Sequence, residues 1–194
     1  MTDVLLLDVM DTLVQDPYRQ IPAFFGLEFA ELWPLVHRGA WPDFEKAIID
    51  EPTFLRRFFH DGRDFDHDGF LAMIAEGYRW VDGAEELLGE LRDAGVAMHA
   101  LSNYPIWYER IEEKLGLTRY LPWTFVSWKT GVRKPDPEAY LGAARSLGLP
   151  PERCLFVDDR ESNCDAARAL GMPATRFVGA DALRADLVAR GILG

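Results

Sequence analysis

The sequence has only two cysteines, Cys154 and Cys164. They are too few for a disulfide framework, and their spacing matches no zinc pattern, so they read as packing residues of a reducing compartment. No apolar run approaches the length needed to cross a bilayer. The first strand-like run starts within a few residues of Met1, which leaves no room for a signal or transit peptide, and the expectation is a cytoplasmic protein. Positive charge is also scarce: 21 Lys and Arg stand against 32 Asp and Glu, for a formal net charge of −11. That balance argues against nucleic acid or an anionic membrane as the main partner. An anionic small molecule would have to be met by a local positive site, from a metal ion, a lysine or helix N-termini. Internal repeats and low-complexity segments are absent as well.

What is present fits one α/β core with an insertion. The 194 residues, 48% hydrophobic and 27% charged, are enough for one sizeable core and ordinary for a globular chain. The organising stretch is Val4-Leu5-Leu6-Leu7 followed by Asp8. A continuous aliphatic run ending in an acid predicts a strand buried on both faces of a parallel sheet. Asp8 falls just beyond its carboxyl end, where open α/β sheets place their chemistry. An acid there is costly unless paired or metal-bound, although a loop aspartate capping the next segment is the plainer reading of Asp8 alone.

Residues 16–80 carry many aromatics and helix-like spacing but no convincing buried strand. Phe24, Phe25, Phe29, Leu32, Trp33 and Val36 form one apolar face at helical intervals. Phe44, Ala47 and Ile48, then Phe54, Leu55, Phe58 and Phe59, predict two helices separated near Pro52, and Leu71, Ile74, Ala75 and Tyr78 a fourth. Aromatics at such spacing are more often core than ligand-binding; Tyr18, Trp41, Tyr104 and Trp107 are the candidates for a pocket. Asp64-Phe65-Asp66-His67-Asp68-Gly69 lacks the full ligand pattern of a calcium loop and reads as a solvated turn.

From Asp82 the pattern alternates. Helices are predicted over 83–94, 105–115, 137–147, 162–170 and 180–190, and strands over 96–101, 124–127, 154–157 and 174–178, with a basic loop from Lys129 to Lys134. Strands separated by helical patterns predict a parallel, doubly wound sheet. The domain expectation is a core of 1–15 and 81–194 with a small all-helical cap of 16–80 inserted after the first strand.

Four strand ends then present polar groups at one edge of the sheet: Asp8, Ser102-Asn103, Lys134 and Asp158-Asp159. Together they supply a nucleophile, a hydroxyl donor, a cation and an acid pair suited to a metal. Alone, each has a plain structural reading: a helix N-cap for Ser102, a solvated loop charge for Lys134, a capping role for the acid pair.

With Asp8-Val9-Met10-Asp11-Thr12, Leu101-Ser102-Asn103, Lys134-Pro135-Asp136-Pro137, and Asp158-Asp159 followed by Asn163, the sequence resembles the haloacid dehalogenase superfamily over essentially its whole length. The resemblance implies a Mg²⁺-dependent phosphatase in which Asp8 attacks phosphorus and forms an aspartyl-phosphate. It also implies Mg²⁺ held by the carboxylates of Asp8 and Asp159 and the backbone carbonyl of Met10, with Asp158 and Asn163 completing the metal site by orienting ligands or waters. Ser102 would donate to a phosphoryl oxygen, and Lys134 would neutralise charge on the phosphoryl group and on Asp8. Asn103 and Thr12 are the expected substrate-binding residues.

One position departs from that family. Its phosphatases usually place a second aspartate two residues after the nucleophile, as the acid that protonates the leaving oxygen; here Met10 occupies it. Asp11, where glycine is usual, or a residue of the insertion would have to act instead. Losing a positioned acid costs about two to four orders of magnitude. The segments Asp11-Thr12-Leu13-Val14, Asp16-Pro17, Ile21 to Gly26, Phe59 with Asp61 to Asp66, and Asn103 to Tyr108 are similar to the plant chloroplast flavin mononucleotide (FMN) hydrolases. Those proteins also carry methionine at this position. FMN is therefore the leading substrate expectation, in a monomer or homodimer. A 2-haloacid dehalogenase, suggested by Ser102-Asn103-Tyr104 and Lys134-Pro135-Asp136-Pro137, is the rival enzyme. A flavin- or protein-binding module without catalysis is the rival that Met10 raises.

Overall fold

Val4–Leu7 forms strand β1, and all four side chains are buried. Successive residues point to opposite faces of a strand. Leu5 and Leu7 accordingly join one apolar cluster, and Val4 and Leu6 another on the other side of the sheet. A leucine buried this fully contributes about 1.5–3 kcal/mol, which explains why the run contains no polar residue. In this computed structural model, which describes residues 2–194, the chain turns from β1 into the short β2 (Val14–Gln15). Five helices follow: α1 (Ile21–Phe24), α2 (Phe29–Leu32), α3 (Ala40–Glu45), α4 (Glu51–Arg56) and α5 (His67–Gly77). Strand β3 (Arg79–Trp80) leads to α6 (Ala84–Asp93), β4 (Met98–Ser102), α7 (Tyr108–Leu115) and β5 (Phe125–Val126). The chain ends with α8 (Ser127–Thr130), α9 (Pro137–Ser146), β6 (Cys154–Asp158), α10 (Glu161–Ala169), β7 (Ala174–Arg176) and α11 (Ala180–Ala189). No helix among the described residues is long and apolar enough to cross a membrane.

The main sheet is parallel, in the order β5-β4-β1-β6-β7. Leu6 stands opposite His99 on one side and Phe156 on the other. The chain winds outward from β1 through β4 and β5, then crosses back to β6 and β7. The direction of winding thus reverses at β1, and the crevice beyond the carboxyl end of β1 is the switch point of the sheet. This is the expected α/β class. Asp8, Ser102 and Asp158 stand at the ends of three adjacent strands.

The insertion differs in detail from its sequence reading. The face from Phe24 to Val36 is not one helix. Gly26, at φ +65°, ends α1, and Pro34 follows α2. Pro52 does not separate two helices but sits in the first turn of α4, where its missing N–H costs nothing. Asp50 caps that helix by accepting from Thr53 N at 2.9 Å. The break lies one turn earlier, where Ala47 takes φ +58°. The pairing of β2 with β3 is antiparallel and only two residues long, too short to leave a periodic trace. The expected strand at 124–127 is shorter, since Ser127 opens α8. Most aromatics of the insertion are core: Phe44 and Phe70 are fully buried, and Phe44 stacks on Phe54 at 4.7 Å. Asp66, in the turn read as solvated, caps α5 by accepting from Gly69 N.

Candidate active site

Lys134 is the hub of the site. It is 2% exposed, and its Nζ donates to Asp8 Oδ1 at 2.8 Å and to Asp158 Oδ2 at 2.6 Å. The lysine belongs to the loop after α8, and its peptide bond to Pro135 is cis. Asn103 holds that loop: its Nδ2 donates to the Lys134 carbonyl at 2.8 Å, and its Oδ1 accepts from Lys134 N at 2.7 Å. Asn103 was expected at the substrate. It borders the cavity, but its amide is engaged at both ends with the lysine backbone, which makes it a positioning residue.

The fourth strand end is equally ordered. Both oxygens of Asp158 are occupied, by Lys134 Nζ, by Arg160 N at 2.9 Å and by Asn163 Nδ2 at 3.0 Å. Asp158 therefore orients Lys134, and Asn163 orients Asp158. Thr12 was also expected at the substrate. It is fully buried, and its Oγ1 accepts from Asp159 N at 3.1 Å. The hydroxyl faces the acidic loop and not the cavity, so its contribution is to place Asp159. Ser102 Oγ is buried without a hydrogen-bond partner among the described residues. It borders a separate side cavity of about 190 Å³ that shares only Asn103 with the main one. Asp11 sits at φ +55°, a left-handed conformation that aspartate tolerates better than most residues. Three successive amides, those of Thr12, Leu13 and Val14, donate to the Val9 carbonyl around this turn. One Asp11 oxygen accepts from Asp16 N at 3.0 Å.

The site is rich in negative charge. One oxygen from each of Asp8, Asp158 and Asp159 can be chosen so that all lie within 4.8 Å of one another, with only Lys134 as a buried cation among them. Burial pushes the Asp8 carboxyl up to about 7 against the pull of Lys134, and the neighbouring Asp158 adds to the rise. Burial and Asp158 raise Asp159 as well. For Lys134 burial acts downward, but Asp8 and Asp158 outweigh it and keep the ammonium charged. Three carboxylates against one ammonium leave an excess of negative charge, and an oxygen-only donor set of this kind fits a hard divalent cation such as Mg²⁺.

Asp8, Lys134 and Asp159 open onto a cavity of about 750 Å³ between the sheet edge and the inserted helices, within the range of small-molecule sites. All four aromatics singled out from the sequence border it, but they differ in availability. Tyr104 is buried with its hydroxyl on that of Tyr78, and Trp107 is buried and donates to Glu51. Tyr18 is exposed, and beside it Phe29 and Trp33, half exposed, stack at 5.7 Å with an interplanar angle of 12°. They form an open aromatic rim.

One residue of the site escaped the sequence reading. Glu45, 3% exposed, accepts from Trp41 Nε1 and from Arg133 Nε, each at 2.7 Å, while its carbonyl accepts from Ser127 Oγ at 2.8 Å. This clasp ties the insertion to the loop that carries Lys134. Its signal in the sequence is an acid four residues after Trp41 and adjacent to Phe44, on a helix face that is otherwise apolar. Glu45→Ala should cost about 2–3 kcal/mol in urea unfolding, because Arg133 and the indole N–H lose their partner. The same variant should lower kcat/KM by loosening the lysine loop.

The switch point of a parallel sheet thus gathers an aspartate, a buried lysine and an acid pair beside a cavity. The family profile described as haloacid dehalogenase-like hydrolase matches residues 2–171. The chain belongs to the haloacid dehalogenase-like hydrolase family, and it is an enzyme of the phosphoric monoester hydrolase kind. It is 48% identical over 190 residues to flavin mononucleotide hydrolase 1, chloroplastic, of Arabidopsis thaliana, covering 97% of this chain and 78% of the relative. A solved enzyme of the family from Bacteroides thetaiotaomicron, in complex with magnesium, superposes with TM-score 0.72 at 21% identity over 90% of this chain and 92% of that one. The L-2-haloacid dehalogenase of Xanthobacter autotrophicus superposes with TM-score 0.66 at 20% identity over 97% and 83%. At such identities the two structures speak for the fold alone.

Proposed function

We propose that the protein is a Mg²⁺-dependent phosphatase that hydrolyses FMN to riboflavin through an aspartyl-phosphate on Asp8. The observation that carries this reading is the pairing of Asp8 with Lys134 at the floor of a cavity whose rim is aromatic. Asp8 Oδ1 is held by the lysine, which turns Oδ2 into the attacking atom, and the ammonium meets charge on the transferring phosphoryl group. The flat surface of Phe29 and Trp33 offers stacking area to a planar ring system at the far end of a phosphate ester. The identity with the plant hydrolase supports FMN in particular. The carboxylates of Asp8 and Asp159 would hold Mg²⁺ with the Met10 carbonyl. When bound, the ion neutralises phosphoryl charge and orients the ester for in-line attack. Ser102 Oγ, expected to donate to a phosphoryl oxygen, opens instead on the side cavity and does not border the one that Asp8 and Lys134 face.

The test is phosphate release from FMN against a panel of sugar phosphates, nucleotides and p-nitrophenyl phosphate, with Mg²⁺ and with EDTA. FMN should have the highest kcat/KM, and EDTA should abolish turnover. Mg²⁺ should also raise the melting temperature of the wild-type protein, and Asp159→Asn should remove that rise. Turnover unaffected by EDTA, or chloride release from chloroacetate without metal, would overturn the reading.

A further inference from the structure

We infer that Arg133 is a specificity-determining residue: its guanidinium donates to hydroxyl oxygens of the alcohol part of the ester and so selects phosphate esters of polyhydroxylated alcohols. This inference rests on the phosphatase reading above and narrows its substrate class.

Four arginines border the main cavity: Arg19, Arg38, Arg133 and Arg160. Arg19, Arg38 and Arg160 are exposed and form no ion pair among the described residues, so ordering any of them on a substrate would cost side-chain entropy. Arg133 is different. Its side chain is only 33% exposed, and its Nε donates to Glu45 Oε2 at 2.7 Å. The carboxylate that holds it is itself buried, and its other oxygen accepts from Trp41 Nε1. Trp41 in turn packs edge-on against Phe54 and Tyr104, with ring centroids at 5.6 and 5.9 Å. The backbone is fixed as well, because Asn103 clamps the next residue, Lys134, at both its N–H and its carbonyl. Only Nε of the guanidinium is used in this way. The two Nη nitrogens have no hydrogen-bond partner among the described residues, and both are donors.

An ion pair made for stability alone explains this arrangement poorly. Burial raises the Glu45 carboxyl above its ordinary value, with Arg133 the first of the groups that oppose the rise. Taking a carboxylate out of water to meet a guanidinium returns little net stability. What it does supply is a planar fork of donors held in one place before substrate arrives, the form in which arginine recognises oxygen acceptors best.

The position of the fork decides what it meets. Arg133 and Lys134 are successive residues, but their side chains part. Lys134 Nζ lies on Asp8 and Asp158 at the floor of the cavity, where phosphorus is attacked. Arg133 lies on Glu45 of α3, in the wall that the insertion forms. The phosphoryl group is held at the floor, so the part of the ester that passes this wall is its alcohol. The acceptors that a neutral alcohol offers there are hydroxyl oxygens. FMN carries several of them on the chain between its phosphate and its ring.

The experiment compares wild type with Arg133→Lys on ribitol 5-phosphate and on pentyl phosphate, which has the same chain length and phosphate but no further hydroxyl. Lysine keeps a cation for Glu45 and loses the fork. Wild type should prefer the polyol ester. In the variant the ratio of polyol to plain-alkyl kcat/KM should fall by about 10–10²-fold, the worth of hydrogen bonds from a charged donor. The fall should lie mainly in KM for the polyol ester, because a contact made equally before and during bond breaking adds uniform binding. Both esters are measured on one preparation, so the ratio does not depend on how much of the variant is folded. Glu45→Gln is the second variant: it keeps Arg133 but weakens its anchor, and the ratio should fall in the same direction by a smaller factor. No preference for the polyol in wild type, or a ratio that Arg133→Lys leaves unchanged, equal losses on both esters included, would overturn the assignment to Arg133 while leaving the phosphatase reading intact. Absence of phosphate release by wild type from these esters, from FMN and from p-nitrophenyl phosphate would overturn the phosphatase reading and the assignment with it.

Discussion

Asp8→Asn should reduce phosphate release by on the order of 10⁵-fold or more, the scale of losing a covalent nucleophile. The reason is local. Lys134 Nζ sits 2.8 Å from Oδ1, and a neutral amide in that place offers no carboxylate oxygen to attack phosphorus. The fold should survive the change. Burial already pushes the Asp8 carboxyl up to about 7, so the ionised form is a cost that asparagine removes. The variant should melt at or above the wild-type temperature at pH 8 in the absence of metal. Inactivity combined with an undiminished melting temperature, measured on one preparation, would separate loss of chemistry from loss of structure. Retention of more than a hundredth of the wild-type rate would exclude Asp8 as nucleophile.

Lys134→Met should be the other severe variant, and it should fail in both respects. Methionine matches the length of the lysine stem but leaves Asp8 and Asp158 without their shared cation, at 6% and 0% exposure. Breaking a buried ion pair by removing one partner costs about 3–5 kcal/mol. In urea unfolding the deficit should be largest at pH 8. It should shrink toward pH 5, because Asp8, with its folded pKa raised, takes up a proton there and no longer needs the cation. Activity should fall by about 10³-fold, the loss expected when a group aimed at developing charge is removed. A variant that keeps its stability at pH 8 would show that the lysine is not the counter-charge of this acidic site.

The two variants also mark how far residues can be read without coordinates. Asp8, Lys134 and Asp158 are legible in the chain because each follows a strand or loop whose pattern is local: four aliphatic residues before Asp8, five buried residues in β6 ending at Asp158. The roles of Asn103 and Thr12 were not legible in that way. Both belong to the same motifs, yet one clamps the Lys134 backbone 31 residues away and the other receives the Asp159 amide across 147 residues. Motif membership places a residue near the site but does not say which neighbour its hydrogen bonds will find. The insertion shows the complementary failure. Its apolar spacing is helical throughout, but Gly26, Pro34 and the left-handed Ala47 cut it into shorter helices than the spacing alone implies.

The amino-acid sequence by itself determined the parallel α/β core, the order of its strands along the chain, and the set of charged groups at their carboxyl ends. It could do so because hydrophobic period and strand-terminal acids are properties of short segments. Only the tertiary structure decided the rest. It joined Glu45 to Arg133 across 88 residues with two guanidinium nitrogens to spare, and left Phe29 and Trp33 open at the cavity rim while closing Phe44 and Phe70 into the core. Those outcomes depend on which distant side chains compete for the same hydrogen-bond partners and the same buried space, and such competition leaves no periodic mark on the chain.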